Sequence, residues 1–345
     1  MTKLATIKYL EEDNTIVIID QTKLPNELVY KTLQTDEDVW LAINKLEVRG
    51  APLIGITAAY GLAMVEKNNT ALAHSLYLNH ISDTKEYLIS ARPTAVNLEI
   101  ALDTIMQNLD LSATNEAIAN QLINNALEFH KADIAISEGI AFYGNQLLSE
   151  NNTIVTYCNA GLLATGNTLG TALAPVYAAV ESGKKVHVYA CETRPVLQGA
   201  RLTTFELVNA GIPTTLITDN MIGWLLSTKH IDAIFVGCDR VAKNGDFANK
   251  IGTHTLAVLA KEYHVPFYVC LPSTTIDFNA KSKDDIIIVF RDGEEVRSMW
   301  YQTPMVDARV DIENPAFDCT PASFVTGYIT EKGILLPPFN EEQFK

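Results

Sequence analysis

Reactive side chains follow the short apolar segments in the second half of the sequence. A thiol, carboxylates, amides and two arginines occupy the positions just after these segments, at 158–161, 191–195, 219–220, 238–240 and 272–274. In an open parallel sheet, ligands bind beyond the carboxyl ends of the strands. Because side chains of catalytic types converge there, the pattern predicts an enzyme rather than a simple binding domain.

Cys158 differs from the other cysteines because it ends an apolar segment and directly precedes a glycine-rich one. Backbone donors at such a position lower the pKa of a thiol and favour the reactive thiolate. The alternative is a small buried hydrophobic residue, which is the commoner role of a free cysteine. The five cysteines lie far apart without a CxxC pair, which indicates neither a disulfide framework nor a zinc ribbon.

Two glycine-containing segments are candidates for binding phosphate. The first, at 161–168, has the spacing of a P-loop, but Asn167 stands where that loop requires lysine, which excludes ATP hydrolysis. A glycine-rich turn that opens a helix still binds a single phosphate through its backbone N–H groups, and a tight packing turn is the alternative. The second segment, 237–253, carries Lys250, which we expect at the start of a helix, where a cation suits a phosphate.

Two arginines in the first third of the chain are further candidates. Arg49 precedes the sequence Gly-Ala-Pro, and Arg92 precedes Pro93, so we expect each beside a rigid turn at the start of a helix. A guanidinium group binds phosphate through two parallel hydrogen bonds. An ordinary surface arginine is the alternative at each position.

The elements that must hold these side chains alternate between strands and helices. Apolar runs predict strands at 15–20, 153–157, 185–189, 214–218, 233–236, 267–271 and 286–290, and helical patterns lie at 36–46, 54–67, 95–109, 115–150, 166–182, 198–210, 221–229 and 249–263. Such alternation predicts βαβ units and a parallel sheet. The fold class we expect is α/β: a small N-terminal α+β domain over 1–130, then a Rossmann-like doubly wound domain with a mostly parallel sheet over 131–345.

The composition limits the class of protein. The 345 residues are 48% hydrophobic and 19% charged, which is typical of a globular chain. The formal net charge of −15 argues against nucleic acid or an anionic membrane surface as a partner. The first residues lack the apolar core of a secretory signal, and free cysteines suit a reducing compartment, so we expect a cytoplasmic protein. The scattered histidines, without an HExxH pattern, predict no metal site.

Several motifs, in order along the chain, closely resemble those of the methylthioribose-1-phosphate isomerase family. The resemblance extends over residues 7–337, which is nearly the whole chain. The motifs that carry it are RGAPLIGITAAY at 49–60, ARPTAVN at 91–97, CNAG at 158–161, ETRPVLQGARLT at 192–203, GCDRVAKNGD at 237–246, ANKIGT at 248–253, NPAFD at 314–318 and ITEKG at 329–333.

This resemblance implies an aldose–ketose isomerase of methionine salvage. Such an enzyme converts 5-methylthioribose 1-phosphate to 5-methylthioribulose 1-phosphate without a metal or an organic cofactor, and the family implies a homodimer. The cysteine of the CNAG motif and the aspartate of the CDR motif are catalytic in the family, which implies these roles for Cys158 and Asp239. The implied substrate contacts are Arg49, Gly50, Ala51, Arg92, Gln198, Asn249 and Lys250.

The implied reaction explains why these residue types are needed. A sugar 1-phosphate has no free aldehyde, so its ring must open with the phosphate attached. We assign ring-oxygen protonation to Asp239, which requires a raised pKa and therefore a largely apolar pocket. Cys158 either takes the C2 proton as a thiolate or shapes the site for a hydride shift from C2 to C1, and the sequence leaves both routes open. Arg49, Arg92 and Lys250 would hold the phosphate.

Three departures from the family pattern leave the substrate open. Cys238 replaces the usual alanine before Asp239, and the stretches 272–277 and 286–291 differ from those of relatives. The CDR motif also resembles sister enzymes that isomerise 5-deoxyribose 1-phosphate, a sugar that differs only at C5. A third reading is ribose 1,5-bisphosphate isomerase, for which we find no second basic cluster. A fourth is a non-catalytic regulatory subunit of the same fold, which generally lacks the paired cysteine and aspartate.

Overall fold

A computed structural model describes residues 4–92, 96–166, 169–337, 339 and 341–344 of the chain. Its described residues form two units, each with its own internal contacts. The N-terminal unit takes the chain up to Ala135 together with the segment Leu162–Gly170. The C-terminal unit takes Ile136–Gly161 and the chain from Thr171 onward. The segment that follows the CNAG motif is therefore part of the N-terminal unit.

The N-terminal unit combines a small antiparallel sheet with helices. The sheet has the order β1-β2-β3, and the helix α2 is buried on nearly every face because small and apolar residues occupy nearly all of its positions before Glu66. The helix predicted at 36–46 is confirmed as α1, and Thr35 starts it with a reciprocal capping box to Asp38. The elements are β1 Ile7–Leu10, β2 Thr15–Ile19, β3 Tyr30–Leu33, α1 Asp36–Asn44, α2 Ala51–Asn68, α3 His74–Ser90, α4 Val96–Met106 and α5 Asn115–Asn145.

Sequence reasoning found most of these helices and missed α3. The predictions at 54–67, 95–109 and 115–150 correspond to α2, α4 and α5, with ends shifted by a few residues. Ala95, the predicted first residue of α4, lies outside the described residues, as do Pro93 and Thr94. The division between the two units falls inside α5, after Ala135.

The C-terminal unit is built on a seven-stranded sheet, which confirms the predicted Rossmann-like, mostly parallel architecture. Its strand order is β14-β13-β10-β7-β4-β5-β6, and every pairing is parallel except that of β13 with β14. The chain starts in the middle at β4, adds β5 and β6 on one side, and then adds β7, β10 and β13 on the other. The strands are β4 Asn151–Thr156, β5 Lys185–Cys191, β6 Thr214–Ile217, β7 Ala233–Val236, β10 Phe267–Cys270, β13 Gly327–Thr330 and β14 Gly333–Leu335.

The helices of this unit begin later than the sequence predicts. The helix predicted at 166–182 starts only at Ala174, and the one predicted at 198–210 opens with a π-helical turn at Gly199–Thr203. A π-helical turn inside a helix is rare and frequently marks a functional site. The helices are α6 Ala174–Glu181, α7 Thr204–Asn209, α8 Ile222–Thr228, α9 Thr253–Glu262, α10 Glu294–Arg297 and α11 Glu341–Phe344.

A second, four-stranded sheet was not predicted from the sequence. Its order is β11-β8-β9-β12, with β8 Arg240–Ala242, β9 Phe247–Lys250, β11 Ile276–Asp277 and β12 Phe317–Thr320. The polar segment after β7 therefore folds as the β8–β9 hairpin. The strand predicted at 286–290 is wrong, because only an isolated bridge joins Phe290 to Pro315 in that segment and Ile287 is 87% exposed.

The turn of this hairpin depends on one buried carboxylate, that of Asp246. One of its oxygens accepts a hydrogen bond from the backbone N–H of Ala322 at 2.9 Å. The other accepts from the Asn244 side chain at 2.9 Å and from the backbone N–H of Lys283 at 3.2 Å. Asp246 thus joins the hairpin to two distant segments and fixes the strands that follow β7.

Replacing this carboxylate is expected to loosen the hairpin. Asp246→Ala leaves two backbone N–H groups without their acceptor, so the free energy of unfolding is expected to fall by about 2 kcal/mol or more. Asp246→Asn keeps one acceptor oxygen and is expected to lose less. Urea unfolding of the wild type and the two variants measures their order of stability. An alanine variant as stable as the wild type would contradict the stabilising role of Asp246.

Candidate active site

The strand order of the large sheet changes direction between β4 and β7. This is the topological switch point, beside which ligands bind in doubly wound folds. Cys158 follows β4 and Asp239 follows β7, so the two candidate catalytic residues come from the two strands that flank the switch point. The two segments touch, since a Cβ atom at Gly237 would lie 2.8 Å from the Cβ of Ala160. Only glycine allows the two turns to approach this closely.

The backbone of Cys158 has an unusual conformation. Its φ of +65° lies in the left-handed region, which non-glycine residues seldom adopt. Its N–H donates to the hydroxyl of Thr193 at 2.8 Å, and its carbonyl accepts from the hydroxyl of Thr203 at 2.6 Å. The side chain of Asn159 donates to the same Thr203 hydroxyl at 3.1 Å. The CNAG turn is therefore held by side chains that follow β5.

Asp219, just after β6, anchors the neighbouring strand ends. Its two carboxylate oxygens accept hydrogen bonds from the backbone N–H groups of Thr193, at 2.8 Å, and Arg194, at 2.7 Å. Burial raises the pKa of Tyr157 well above its usual range, and the charge of Asp219 and a hydrogen bond to it raise it further. Tyr157, the residue before Cys158, therefore interacts with the same carboxylate as Thr193 and Arg194.

Asp239 is exposed in the structure. Its backbone N–H donates to the carbonyl of Ala248 at 2.9 Å, and continuing the β8–β9 register places Asp239 opposite Asn249. The acid role predicts a largely apolar pocket for this carboxylate. The described residues do not enclose it in one, so that expectation is wrong for the chain by itself.

Asn249 and Lys250 end strand β9, which corrects the expectation that Lys250 begins a helix. Both side chains are buried. The Asn249 amide donates to the hydroxyl of Thr253 at 3.0 Å. The Lys250 ammonium donates to the carbonyl of Ala316 at 3.0 Å and lies 4.7 Å from the ring centre of Phe317. The NPAFD motif thus forms part of the surroundings of Lys250.

The N-terminus of α9 is occupied by a side chain of the protein. The carboxylate of Asp318 accepts hydrogen bonds from the backbone N–H groups of Gly252, at 2.7 Å, and His254, at 3.1 Å. Burial raises the pKa of Asp318, and these two hydrogen bonds oppose that shift. Because Asp318 uses these two donors, they do not serve the phosphate that the sequence analysis expected beside Lys250 at this helix start.

Gln198 is buried at the start of the π-helical turn. Its side chain is 7% exposed, and its Oε1 atom has no hydrogen-bond partner among the described residues. A buried acceptor without a partner costs stability and calls for an explanation. A ligand hydroxyl that donates to Oε1 would provide one.

The N-terminal unit holds the remaining candidate residues. Arg49 directly precedes Gly50, which is the N-cap of α2 with a φ of +98°, and Ala51 is the first residue of that helix. A Cβ atom at Gly50 would lie 2.3 Å from the carbonyl oxygen of Ala164, so a larger residue cannot replace it without a shift. Arg92 is half-buried just after α3.

Side chains of the N-terminal unit fix the segment that follows Gly161. Gln21 donates to the carbonyl of Leu163 at 2.7 Å, and Nε2 of His130 lies at hydrogen-bond distance from the carbonyl of Gly166. The Tyr60 hydroxyl lies 2.8 Å from the other ring nitrogen of His130. The segment forms a short 3-10 turn at Leu162–Ala164 and does not open a helix, contrary to the prediction. Asn167 and Thr168 lie outside the described residues.

The predicted residues divide between the two units. Cys158, Gln198, Asp239, Asn249 and Lys250 belong to the C-terminal unit, whereas Arg49, Gly50, Ala51 and Arg92 belong to the N-terminal unit. Sequence reasoning assigned no role to the residues that support the candidate residues of the C-terminal unit. These are Thr193, Thr203, Asp219 and Asp318, and three of them occur inside the quoted motifs, which was the available signal.

Within the described residues, no group of three or more His, Cys, Asp or Glu side chains is arranged to hold a metal ion. None of the helices in the described part of the chain is both long enough and apolar enough to cross a membrane.

Comparison with known proteins gives matches along nearly the whole chain. Residues 47–337 match the Initiation factor 2 subunit family. The chain is 48% identical to a methylthioribose-1-phosphate isomerase of Carboxydothermus hydrogenoformans, covering 96% of both. It is 45% identical to a 5-deoxyribose 1-phosphate isomerase of Moorella thermoacetica, covering 95% of this chain and 94% of the relative. A solved 5-methylthioribose 1-phosphate isomerase from Pyrococcus horikoshii superposes with a TM-score of 0.93 at 37% identity, covering 100% of this chain and 96% of that one.

The buried acceptor of Gln198 leads to a prediction about stability. Gln198→Met keeps the length of the side chain and removes the unpartnered oxygen, so the free energy of unfolding is expected to stay constant or rise by about 1 kcal/mol. Gln21→Met is the matched control, because it breaks a buried hydrogen bond and is expected to lose about 1 to 2 kcal/mol. Denaturant unfolding measures both, and a Gln198 variant that loses as much as the control would refute the prediction.

Proposed function

The chain belongs to the Initiation factor 2 subunit family, and we propose that within it the protein is an aldose–ketose isomerase. It converts 5-methylthioribose 1-phosphate to 5-methylthioribulose 1-phosphate. Identities of 44–48% to isomerases named for methylthioribose 1-phosphate, over nearly the full length, support this reaction. The observation that carries the proposal is that a thiol, Cys158, and a carboxylate, Asp239, follow the two strands that flank the switch point.

The first chemical step is opening of the sugar ring. C1 is held as a phosphorylated acetal, so the ring oxygen must gain a proton as the C1–O bond breaks, while the phosphate stays on C1. We propose that Asp239 supplies this proton. Because Asp239 is exposed in the chain by itself, the bound sugar must exclude water from the carboxylate, which raises the pKa of an acid and favours its protonated form.

The second step moves a hydrogen from C2 to C1. We propose that Cys158 acts here, either as a thiolate that removes the C2 proton or as a side chain that shapes the site for a hydride shift. Both routes place the Cys158 sulfur beside C2. In the thiolate route the C2 proton passes to the Cys158 sulfur, which gives an enediol-type intermediate. The thiol then returns this proton to C1, while the Asp239 carboxylate, which lost its proton to the ring oxygen, accepts the O2 proton as the ketone forms.

The remaining candidate residues are proposed as substrate contacts. Gln198 offers a buried acceptor that suits a sugar hydroxyl. Arg49 with Gly50 and Ala51, at the N-terminus of the 18-residue helix α2, suits an anion because the helix dipole and the guanidinium act together. The full set that we propose is Arg49, Gly50, Ala51, Arg92, Gln198, Asn249 and Lys250.

We also propose that the enzyme is a homodimer in the cytoplasm and needs no metal or organic cofactor. The family resemblance supports the dimer and the absence of a cofactor. All five cysteines are free, which suits a reducing compartment. Sedimentation of the purified protein would test the dimer, and activity in the presence of a chelator would test the independence from metal.

A second candidate substrate is 5-deoxyribose 1-phosphate. The Moorella thermoacetica relative, at 45% identity, is named for that sugar. The two sugars share every reacting atom and differ only in the group on C5. A pocket for the methylthio group discriminates between them by about 1–3 kcal/mol, as apolar pockets generally do.

The catalytic assignments predict two inactive variants. Cys158→Ser and Asp239→Asn are each expected to lower kcat by about 100-fold or more, which is the usual contribution of a positioned acid or base. Steady-state rates on 5-methylthioribose 1-phosphate measure the loss, and thermal unfolding checks that both variants are folded.

Matched controls are available in the same chain. Asp232 lies at the opposite end of β7, where its carboxylate accepts from the N–H of Thr153 at 2.6 Å, so Asp232→Asn is expected to keep kcat. Cys319→Ser serves the same purpose for the thiol. Full activity of Cys158→Ser would remove the cysteine from the mechanism, and full activity of Asp239→Asn would remove the acid.

The substrate assignment predicts an order of kcat/KM. We expect 5-methylthioribose 1-phosphate to exceed 5-deoxyribose 1-phosphate by about tenfold, because burial of the methylthio group adds apolar contact in the transition state. Ribose 1,5-bisphosphate is expected to react poorly. A preference for the deoxy sugar would support the second candidate function, isomerisation of 5-deoxyribose 1-phosphate. No turnover of any of the three sugars would favour a regulatory protein of the same fold.

A further inference from the structure

Both backbone groups of Cys158 are bonded to threonine hydroxyls from one short segment. Thr193 accepts from the N–H at 2.8 Å, and Thr203 donates to the carbonyl at 2.6 Å. Both threonines are 0% exposed. They lie ten residues apart in the segment that links β5 to α7. This one segment therefore hydrogen-bonds to the cysteine backbone on both sides of its Cα atom.

These two hydrogen bonds stabilise a left-handed backbone conformation at Cys158 that is otherwise unfavourable. Cys158 has a φ of +65° and Thr193 a φ of +67°, although left-handed geometry is unfavourable for any residue with a Cβ and most of all for a β-branched one. Strained residues persist where surrounding bonds over-determine them, and they cluster at functional sites. Here each strained residue is bonded to the other.

Thr193 is itself held in place by the carboxylate of Asp219. Thr193 donates its own N–H to Asp219 at 2.8 Å and its hydroxyl to the carbonyl of Cys191 at 3.1 Å. The hydroxyl is therefore oriented as an acceptor toward Cys158, because its single hydrogen points at Cys191. A chain of hydrogen bonds thus runs from the Asp219 carboxylate through Thr193 to the Cys158 peptide.

We propose that Thr193 and Thr203 are positioning residues that aim the Cys158 sulfur at C2 of the bound sugar. This inference rests on the proposed function, since it assumes that Cys158 takes part in the reaction. The φ angle at Cys158 sets the direction of its Cα–Cβ bond, so releasing either backbone group turns the thiol. The same arrangement commits the Cys158 N–H to Thr193 and leaves it unable to serve the substrate.

The test compares isosteric and conservative variants. Thr193→Val and Thr203→Val keep the shape of the side chain and remove the hydroxyl, whereas Thr193→Ser and Thr203→Ser keep the hydroxyl and remove a methyl group. Thr57→Val is the control, because the Thr57 hydroxyl, 0% exposed, donates to the carbonyl of Leu53 at 2.7 Å inside α2. It loses an equally buried bond far along the sequence from Cys158.

The valine variants are expected to lose about tenfold or more in kcat with KM unchanged within about twofold, because a misdirected group affects the transition state and not substrate binding. The serine variants are expected to keep at least about half of kcat, and Thr57→Val to keep all of it. A valine variant that keeps wild-type kcat, a rise in KM alone, or an equal loss in the serine variant would each overturn the proposal.

A double-mutant cycle separates this proposal from the proposed function. If Thr193 acts through Cys158, adding Thr193→Val to Cys158→Ser leaves the residual rate unchanged, since the thiol it aims is already gone. Multiplied losses would show that Thr193 acts independently and would overturn the positioning role. Full activity of Cys158→Ser alone would instead refute the catalytic role of the cysteine, whatever the effect of Thr193→Val on kcat.

Discussion

The reversal of strand order between β4 and β7 is the constraint on which the C-terminal unit depends. Connections from β4 lead to β5 and β6 on one side, and the later strands extend the sheet on the other side. Crossover connections on the two sides cover opposite faces of the sheet, so the chain leaves a crevice where they part. Cys158 and Asp239 lie beside this crevice because they follow the ends of β4 and β7 by two and three residues.

A crevice at the end of a sheet does not by itself fix the side chains in it. The backbone leaves the regular strand geometry after β4, and polar groups at the tips must find new partners. In this protein hydroxyls and carboxylates of the chain take over that role, with Thr193 and Thr203 on Cys158, Asp219 on the β5 end and Asp318 on α9. The edge is thus organised by internal hydrogen bonds before any substrate arrives.

The parts of the fold that the sequence predicts are those that short-range patterns determine. Apolar runs correctly predicted five of the six parallel strands and missed β13. A helical pattern correctly predicted α1, which Thr35 and Asp38 cap in the structure. The β8–β9 hairpin escaped prediction because its strands are only three and four residues long and lie in a segment rich in polar residues. Lys250 pairs with Phe317, 67 residues later, which no short-range pattern shows. The apolar run at 286–290 was wrongly predicted to be a strand, because no neighbouring strand pairs along it in the described part of the chain.

The segment Leu162–Gly170 belongs to the N-terminal unit, although the chain on both sides of it belongs to the other unit. A fragment cut after Ala135 would therefore lack the carbonyl that Gln21 binds and the backbone that packs on Gly50. Genetic recombination could not exchange this unit with a single crossover, because its sequence is interrupted by that of its neighbour.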